Sequence, residues 1–223
     1  MEDEDFIKGV PAAALKLNLM LSIIEAMIGG EVSPGINSLV DEILQNIYKP
    51  FMLSKTADAL PTFKDFFEAL ERKNTPTSNE LADVMRIYVT GSLSVFSHKT
   101  NIKTDNRLIC YNTNRLGDHL KPVASHMMFN AIRSTVVKNR NSGKKTWIYI
   151  DEVHLLFNSE DNIKRVGEMY RRFRKYSGIV TSMTQNTTDT IKYAEARSML
   201  SNTNLQSIQS QQSNQIQSLT VHA

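Results

Sequence analysis

A short run of strand-forming residues that ends in two carboxylates constrains the fold of this chain more than any other feature. The residues Trp147 to Ile150 have strong β-propensity, and Asp151 and Glu152 follow them directly. Ligands of α/β proteins collect at the carboxyl ends of parallel strands. An apolar strand that delivers an acidic pair to that edge is the arrangement with which nucleoside-triphosphatases hold Mg²⁺ and activate a water. A buried strand with a polar exit is the alternative that the motif alone leaves open.

A second predicted strand strengthens the first interpretation. Residues 178 to 184 form another apolar run, which ends in Gln185 and Asn186. A strand, a helix and a strand across about thirty residues make a βαβ unit with a right-handed crossover. We therefore expect Asp151, Glu152 and Gln185 to lie together at one carboxyl edge of a parallel sheet. The helix between the strands is predicted from apolar residues at helical spacing, namely Ile163, Val166, Met169, Tyr170 and Phe173.

Composition excludes several other classes of protein. The chain has 223 residues, of which 41% are hydrophobic and 22% charged, as is ordinary for a globular protein. The formal net charge of +3 is too small to indicate nucleic-acid binding by itself. The single cysteine, Cys110, excludes a disulfide framework and fits a reducing cytoplasm. We expect Cys110 to be a small core residue inside a short buried strand, 107–111.

The N-terminal part of the chain is predicted to be all-helical, and we expect neither a signal peptide nor a membrane span in it. Residues 1–5 are acidic, unlike the start of a signal peptide, and the apolar stretch 12–28 has a polar stripe along one helical face. The predicted N-caps are Ser33 before Pro34, Thr62 with Asp65, and Thr77 with Glu80.

Three regions follow from these patterns. Residues 1–90 form a helical subdomain, residues 91–203 alternate between strands and helices, and residues 204–223 form a disordered tail rich in Gln and Ser. In the middle region, a helix from Leu120 to Lys138 leads through a basic turn, 139–145, into the strand with the acidic pair.

The usual phosphate cradle of a nucleotide site does not occur in the sequence. That cradle is G-x-x-x-x-G-K-[ST], whose backbone amides and lysine wrap the phosphates. The run Ser142 to Lys145 resembles this motif only superficially, because it lacks the first glycine and the hydroxyl after the lysine. It also precedes a predicted strand instead of a helix.

Five segments of the chain together carry a resemblance to a known family. They are Tyr88–Asn101, Leu108–Gly117, Trp147–Phe157, Arg172–Gly178 and Thr184–Asn186. These segments resemble the conjugative-transfer ATPases of type IV secretion systems, the TraC/TrbE/CagE type. Their order and spacing are similar to the C-terminal motor domain of that family, in the branch found in Gram-positive conjugative elements, and the resemblance covers roughly residues 10 to 203.

The resemblance implies a fold and a function. The fold would be α/β, with a partial RecA-like parallel sheet of the P-loop NTPase type and an N-terminal all-α subdomain. The function would be that of a homo-oligomeric motor at the cytoplasmic face of a membrane channel, which uses ATP and Mg²⁺ to export DNA or pilus subunits. The implied partners are full-length motor subunits, proteins of the secretion channel and a possible DNA substrate.

The resemblance also implies roles for individual residues. Asp151 corresponds to the Mg²⁺-coordinating Walker B aspartate, Glu152 to the catalytic base and Gln185 to the γ-phosphate sensor. Arg172 and Arg174 lie in the motif from which an arginine finger acts on the nucleotide of a neighbouring subunit. A basic, solvated helix end is the equally weighted alternative for these two arginines.

One further residue of the acidic strand has an expected role. His154 extends the acidic pair to D-E-x-H, and we expect it to link the pair to Gln185.

Three hypotheses about function remain open at this point. In the family, the phosphate-binding loop precedes the helical subdomain, so we expect this chain to be a fragment of a secretion ATPase that is inactive alone. A non-catalytic protein that docks on full-length motor subunits or the channel is the second hypothesis. A DNA-handling module is the third and weakest. It rests on Lys138, Arg140, Lys144, Lys145, Arg171, Arg172, Arg174 and Lys175.

Overall fold

The computed structural model describes residues 12–99, 106–113, 115–157, 159–185, 192–203 and 205–207. The described residues divide into two compact units, one that ends at Asn130 and one that begins at Ala131. The first unit contains α1 (Ala12–Ile28), α2 (Pro34–Ser54), α3 (Phe63–Lys73), α4 (Pro76–Val89) and the first half of α5 (Leu120–Asn141). The second contains the rest of α5, then β1 (Thr146–Ile150), α6 (Glu160–Arg172), β2 (Gly178–Ser182) and α7 (Ala194–Ser201).

The core of the first unit is built from apolar residues at helical spacing on α1 to α4. Val40 and Ile43 of α2, Phe66 and Leu70 of α3 and Met85 of α4 are almost completely buried in one cluster. Each such residue withdraws its apolar surface from water, which stabilises the fold by about 1.5–3 kcal/mol per large side chain. The predicted helical character of this region is confirmed.

Side-chain caps fix where these helices begin. The Ser33 hydroxyl accepts a hydrogen bond from the backbone N–H of Ile36, and Pro34 occupies the first turn of α2. At α3, Thr62 and Asp65 form the predicted capping box. The predicted cap of α4 is wrong, since Thr75 is the N-cap and Ser78 completes the box. Pro76 fills the first helical position there, so the helix begins two residues earlier than the Thr77 and Glu80 pattern suggested.

The predicted buried strand 107–111 is also wrong. These residues have no regular secondary structure, and Leu108 is 86% exposed. Cys110 is exposed rather than part of the core. A strand needs a ladder partner to satisfy its backbone groups, and the sheet of the described residues contains β1 and β2 alone. β-propensity without such a partner does not make a strand.

The second unit contains the predicted strand–helix–strand arrangement. β1 and β2 are parallel and in register from Thr146 opposite Gly178 to Ile150 opposite Ser182. The intervening α6 buries Ile163, Val166 and Met169, as predicted, and packs against α7. The observed fold is therefore a mostly helical α/β fold with a small parallel sheet. The strands are less buried than predicted, because Trp147 and Tyr149 on one face of β1 are exposed.

A glycine is required where β2 begins. A Cβ atom added to Gly178 would lie 2.9 Å from the Cβ of Phe173 and 3.3 Å from a methyl carbon of Val136. The backbone of β2 therefore approaches the 3₁₀ turn Phe173–Tyr176 and the end of α5 more closely than any side chain permits.

Two expectations from the sequence concern parts of the chain that the structure covers incompletely. The predicted tail, 204–223, lies outside the described residues except for 205–207. The division at residue 90 stays a prediction about domains. Within the described ranges, no helix is long and apolar enough to cross a membrane.

The capping box of α3 generates a prediction about pH. The Asp65 carboxylate accepts hydrogen bonds from the backbone N–H of Thr62 at 2.6 Å and from its hydroxyl at 2.7 Å, and these bonds lower the pKa of Asp65. A lowered pKa stabilises the fold above the pKa of the unfolded chain, and this stabilisation is lost as the pH falls through the folded-state value. We expect Asp65→Asn to lower the free energy of unfolding by about 1 kcal/mol at pH 7. Urea denaturation at several pH values measures this difference, which should shrink below about pH 4.

Glu68→Gln on the same helix is the matched control. Glu68 forms an exposed ion pair with Lys64 at 3.9 Å, and such pairs contribute about 0.3–0.5 kcal/mol. An Asp65→Asn effect that is no larger than that of Glu68→Gln, or that persists unchanged at pH 3, would contradict the capping account.

Candidate functional site

The candidate site lies where β1 and β2 end. Because the strands are parallel and in register, their carboxyl ends meet at the same edge of the sheet. The backbone pairing continues beyond the strands. The N–H of Met183 donates to the carbonyl of Ile150 at 2.9 Å, and the N–H of Val153 donates to the carbonyl of Met183 at 3.0 Å. The segment after β1 is therefore tied to the segment after β2.

Glu152 occupies an unusual backbone conformation at this edge. Its φ of 46° and ψ of 54° are in the left-handed region, which costs a residue with a Cβ roughly 1–2 kcal/mol. Its carboxylate oxygen Oε2 accepts a hydrogen bond from the backbone N–H of Gln185 at 3.2 Å. The turn at Glu152 thus brings the carboxylate back onto the end of the neighbouring strand. Backbone strain of this kind concentrates at functional sites.

His154 joins the two sides of the edge through its side chain. Its ring nitrogen Nδ1 lies 3.2 Å from Oε2 of Glu152 and 3.0 Å from the hydroxyl oxygen of Thr184. The sequence predicted that His154 links the acidic pair to Gln185. The structure shows a link from Glu152 to Thr184, the residue just before Gln185, while Glu152 itself bonds the Gln185 backbone. The contact that the structure shows for His154 therefore joins Glu152 to Thr184, and a link from His154 to Gln185 itself stays a prediction.

Asp151 and Gln185 are both exposed at this edge. Asp151 directly follows β1, and Gln185 lies three residues beyond the end of β2. The predicted juxtaposition of Asp151, Glu152 and Gln185 at one carboxyl edge is confirmed. Asn186, the last residue of the predicted Thr-Gln-Asn motif, lies outside the described residues.

Arg172 and Arg174 lie at the other end of the sheet. Arg172 is the last residue of α6, and Arg174 belongs to the 3₁₀ turn that leads into the first residue of β2. Strands of five residues separate these arginines from the carboxylates by roughly 13 Å. Both side chains are exposed, and Arg172 pairs with Glu168 at 3.7 Å. The structure does not bring them to the carboxylates of their own chain.

The sequence did not reveal one polar contact that supports the site. The Tyr170 hydroxyl on α6 donates a hydrogen bond to the hydroxyl oxygen of Ser182, the last residue of β2, at 2.5 Å. Burial raises the pKa of the Tyr170 phenol, and the bond to Ser182 partly offsets that effect. Helical spacing predicts only that Tyr170 lies on the apolar face of the helix, because spacing does not distinguish a ring that packs from a hydroxyl that donates.

The comparisons with known proteins give a fold and no closer relationship. No family model matches the sequence, and no curated protein matches it. Among solved structures, the chain is similar to the structure of VirB4 of Thermoanaerobacter pseudethanolicus, with a TM-score of 0.74 and 17% sequence identity. The similarity covers 94% of this chain and 60% of that chain, so the chain spans about three-fifths of the length of that protein. At this identity the likeness shows the fold alone.

The left-handed backbone at Glu152 predicts that glycine at this position gives a more stable fold than alanine does. Both Glu152→Gly and Glu152→Ala remove the hydrogen bonds of the carboxylate, but only glycine relieves the left-handed conformation. We expect Glu152→Gly to be more stable than Glu152→Ala by about 1 kcal/mol, as measured by urea denaturation.

Glu168, an exposed residue inside α6, provides the matched control. At this helical position alanine should be more stable than glycine, by about 1 kcal/mol. The same order at both positions would show that Glu152 is not held in the left-handed conformation.

Proposed function

We propose that this chain is part of the motor of a type IV secretion ATPase, with a RecA-like core of the P-loop NTPase type. Two independent findings support the proposal. The sequence segments that resemble that family include both ends of the βαβ unit, and the fold is similar to VirB4 across 94% of the chain. The observation that carries the proposal is the hydrogen bond of Glu152 to Gln185, because it ties the acidic pair to the predicted phosphate-sensing residue.

Each residue of the carboxyl edge has a role in this proposal. Asp151, which is exposed, would hold the metal of the nucleotide. Glu152 would orient and deprotonate the attacking water, and the hydrogen bond from the Gln185 backbone together with the nearby His154 ring holds its carboxylate in place. The Gln185 amide then contacts the water or the γ-phosphate.

The residues present fit a magnesium ion that is carried by a nucleotide. Mg²⁺ keeps several waters and is usually bound through one or two carboxylates together with substrate phosphates. Asp151 offers one exposed carboxylate, and the described residues contain no group of three or more acidic, His or Cys side chains that could hold a metal on their own. When bound, Mg²⁺ neutralises charge that develops on the phosphates. Asp151 would hold it, through a water.

The positions of Arg172 and Arg174 favour a role between subunits. They lie at the amino edge of the sheet, away from the carboxylates of their own chain, so any contact with a nucleotide is made in a neighbouring copy. In this proposal the motor is a homo-oligomer at the cytoplasmic face of a secretion channel and exports DNA or pilus subunits.

The proposal predicts that the isolated chain does not hydrolyse ATP. Phosphate binding in such motors depends on the backbone amides and lysine of a glycine-rich loop, and that motif does not occur in this sequence. We expect phosphate release from ATP and Mg²⁺ to equal that of a chain carrying Asp151→Ala and Glu152→Ala. Mg²⁺-dependent turnover that is abolished by Glu152→Gln would show that the chain holds a phosphate cradle of another kind.

A specific observation supports the alternative, a non-catalytic protein that docks on full-length motor subunits or the channel. Within the described residues, β1 and β2 pair only with each other, and no further described strand covers the outer edge of either. Such edges pair readily with strands of other chains. Two parallel strands are also fewer than an independently stable sheet requires.

The exposed strand edges predict self-association of the purified chain. We expect its mass, measured by light scattering and native mass spectrometry, to rise with concentration through the micromolar range. A monodisperse monomer with one sharp cooperative melt would show that the chain satisfies its own sheet, and would contradict the docking alternative.

A further inference from the structure

Two basic segments that are distant in sequence meet at the amino edge of the sheet. The turn before β1 contacts the turn before β2, because the N–H of Thr146 donates to the carbonyl of Ser177 at 3.1 Å. The Arg140 guanidinium lies over the Tyr176 ring, 4.9 Å from its centroid. These contacts gather eight exposed cationic residues, which we call the basic edge: Lys138, Arg140, Lys144, Lys145, Arg171, Arg172, Arg174 and Lys175.

The basic edge is poorly neutralised by the chain itself. Glu168 is the one carboxylate of the described residues that forms an ion pair with it, at 3.7 Å from Arg172. Among the described residues, the eight cationic groups therefore have one carboxylate as an ion-pair partner. The formal net charge of the whole chain is only +3. The positive charge is concentrated at the basic edge, and the small net charge of the whole chain does not reveal this. A concentration of this kind attracts polyanions.

An exposed pair of aromatic rings lies next to the basic edge. Trp147 is 58% exposed and Tyr149 is 62% exposed, although both belong to the small sheet. Their rings are stacked, with centroids 6.1 Å apart and planes 27° apart. Trp147 follows Lys145 by only two residues, so the rings continue directly from the cationic turn. The register places Ile179 of β2 on the same face.

We propose that this surface binds single-stranded nucleic acid. Proteins that bind single strands combine a cationic surface for the phosphates with aromatic side chains on which bases stack. The basic edge and the Trp147–Tyr149 pair supply these two elements side by side. Bases can reach such rings only when they are not paired, which favours a single strand over a duplex.

The geometry favours nucleic acid over an acidic membrane surface. Membrane-surface proteins commonly insert aromatic residues from an amphipathic helix that lies in the interface. Here the rings lie on the face of a β-sheet, the setting in which RNA-binding domains present stacking aromatics. The basic edge is at the opposite end of the strands from Asp151 and Glu152, whereas Tyr149 lies two residues before Asp151. The surface also shares Arg172 and Arg174 with the proposed contact between subunits, and the binding test uses Lys144, Lys145 and Trp147, which the proposed ATPase site does not contain.

Trp147 is the only tryptophan of the chain, so its fluorescence reports the proposed contact directly. The full chain is titrated with a 20-nucleotide oligo(dT), and the binding is followed by tryptophan quenching and by anisotropy of a labelled strand. We expect saturable quenching, and weaker binding to a duplex of the same length. The paired change Lys144→Ala and Lys145→Ala should weaken binding at least fivefold and reduce the salt dependence by about 1.4, since each single-strand phosphate contact contributes about 0.7 to the slope.

Matched variants distinguish binding at this surface from a general attraction of the oligonucleotide to positive charge. The pair Lys16→Ala and Lys49→Ala removes two exposed lysines of the first unit, and it should change affinity less than twofold. Trp147→Leu should weaken binding about fivefold or more, whereas Trp147→Phe should retain most of it. Circular dichroism confirms that each variant is folded.

Four outcomes would overturn the proposal. These are absence of binding at low salt, equal losses from the two lysine pairs, equal affinity of Trp147→Leu and the unaltered chain, and binding to phosphatidylserine vesicles without binding to oligo(dT). The last of these would assign the surface to a membrane instead.

Discussion

The second unit depends on one interaction, the parallel pairing of β1 with β2. That pairing fixes the register, so Ile150 lies opposite Ser182 and the two strands end together. It continues beyond the regular strands, where the N–H of Met183 donates to the carbonyl of Ile150 and the N–H of Val153 donates to the carbonyl of Met183. The short turn after Ile150 is therefore held against the second strand. Glu152 can remain in a left-handed conformation because the hydrogen bond from the Gln185 backbone N–H and the close approach of His154 offset its cost.

The same sheet separates two kinds of chemistry. Its carboxyl edge presents an acidic pair with a histidine and an amide, to which the proposed function assigns a metal-bound nucleotide. Its amino edge presents eight cations, and one face of β1 presents two stacked aromatic rings, to which we assign a single-stranded nucleic acid. Parallel strands produce this separation, because the turns that enter the strands all lie at one edge and the turns that leave them lie at the other. An ATPase motor that handles nucleic acid would use both edges.

Local patterns in the sequence predicted most of the helices and both strands. Apolar spacing and caps such as Ser33 with Pro34 were sufficient, because these interactions join residues only a few positions apart. The predictions failed where a distant partner decides the outcome. Residues 107–111 have strand propensity but no ladder partner among the described residues, and Leu108 and Cys110 are exposed as a result. At α4 the missed signal was local, since Pro76 indicates that the helix begins there.

The candidate site was predictable in its location but not in its contacts. Strand–helix–strand spacing placed Asp151, Glu152 and Gln185 at one edge, because parallel strands leave little choice. No pattern indicated that Glu152 adopts a positive φ, since glutamate has no preference for that region. The convergence of residues 138–145 with residues 171–175 was equally hidden, because it depends on the contact of Thr146 with Ser177. In the sequence these residues form two separate charged segments, and no local pattern places the two side by side.

In this structure the Glu152 carboxylate holds the end of the second strand in place. Amide hydrogen exchange, measured by NMR for the unaltered chain and for Glu152→Ala, tests this role. We expect the Gln185 amide to be protected in the unaltered chain and to lose its protection in the variant. The amides of Val153 and Met183, which donate to backbone carbonyls, should keep theirs. A Gln185 amide that exchanges equally fast in both proteins would contradict the account.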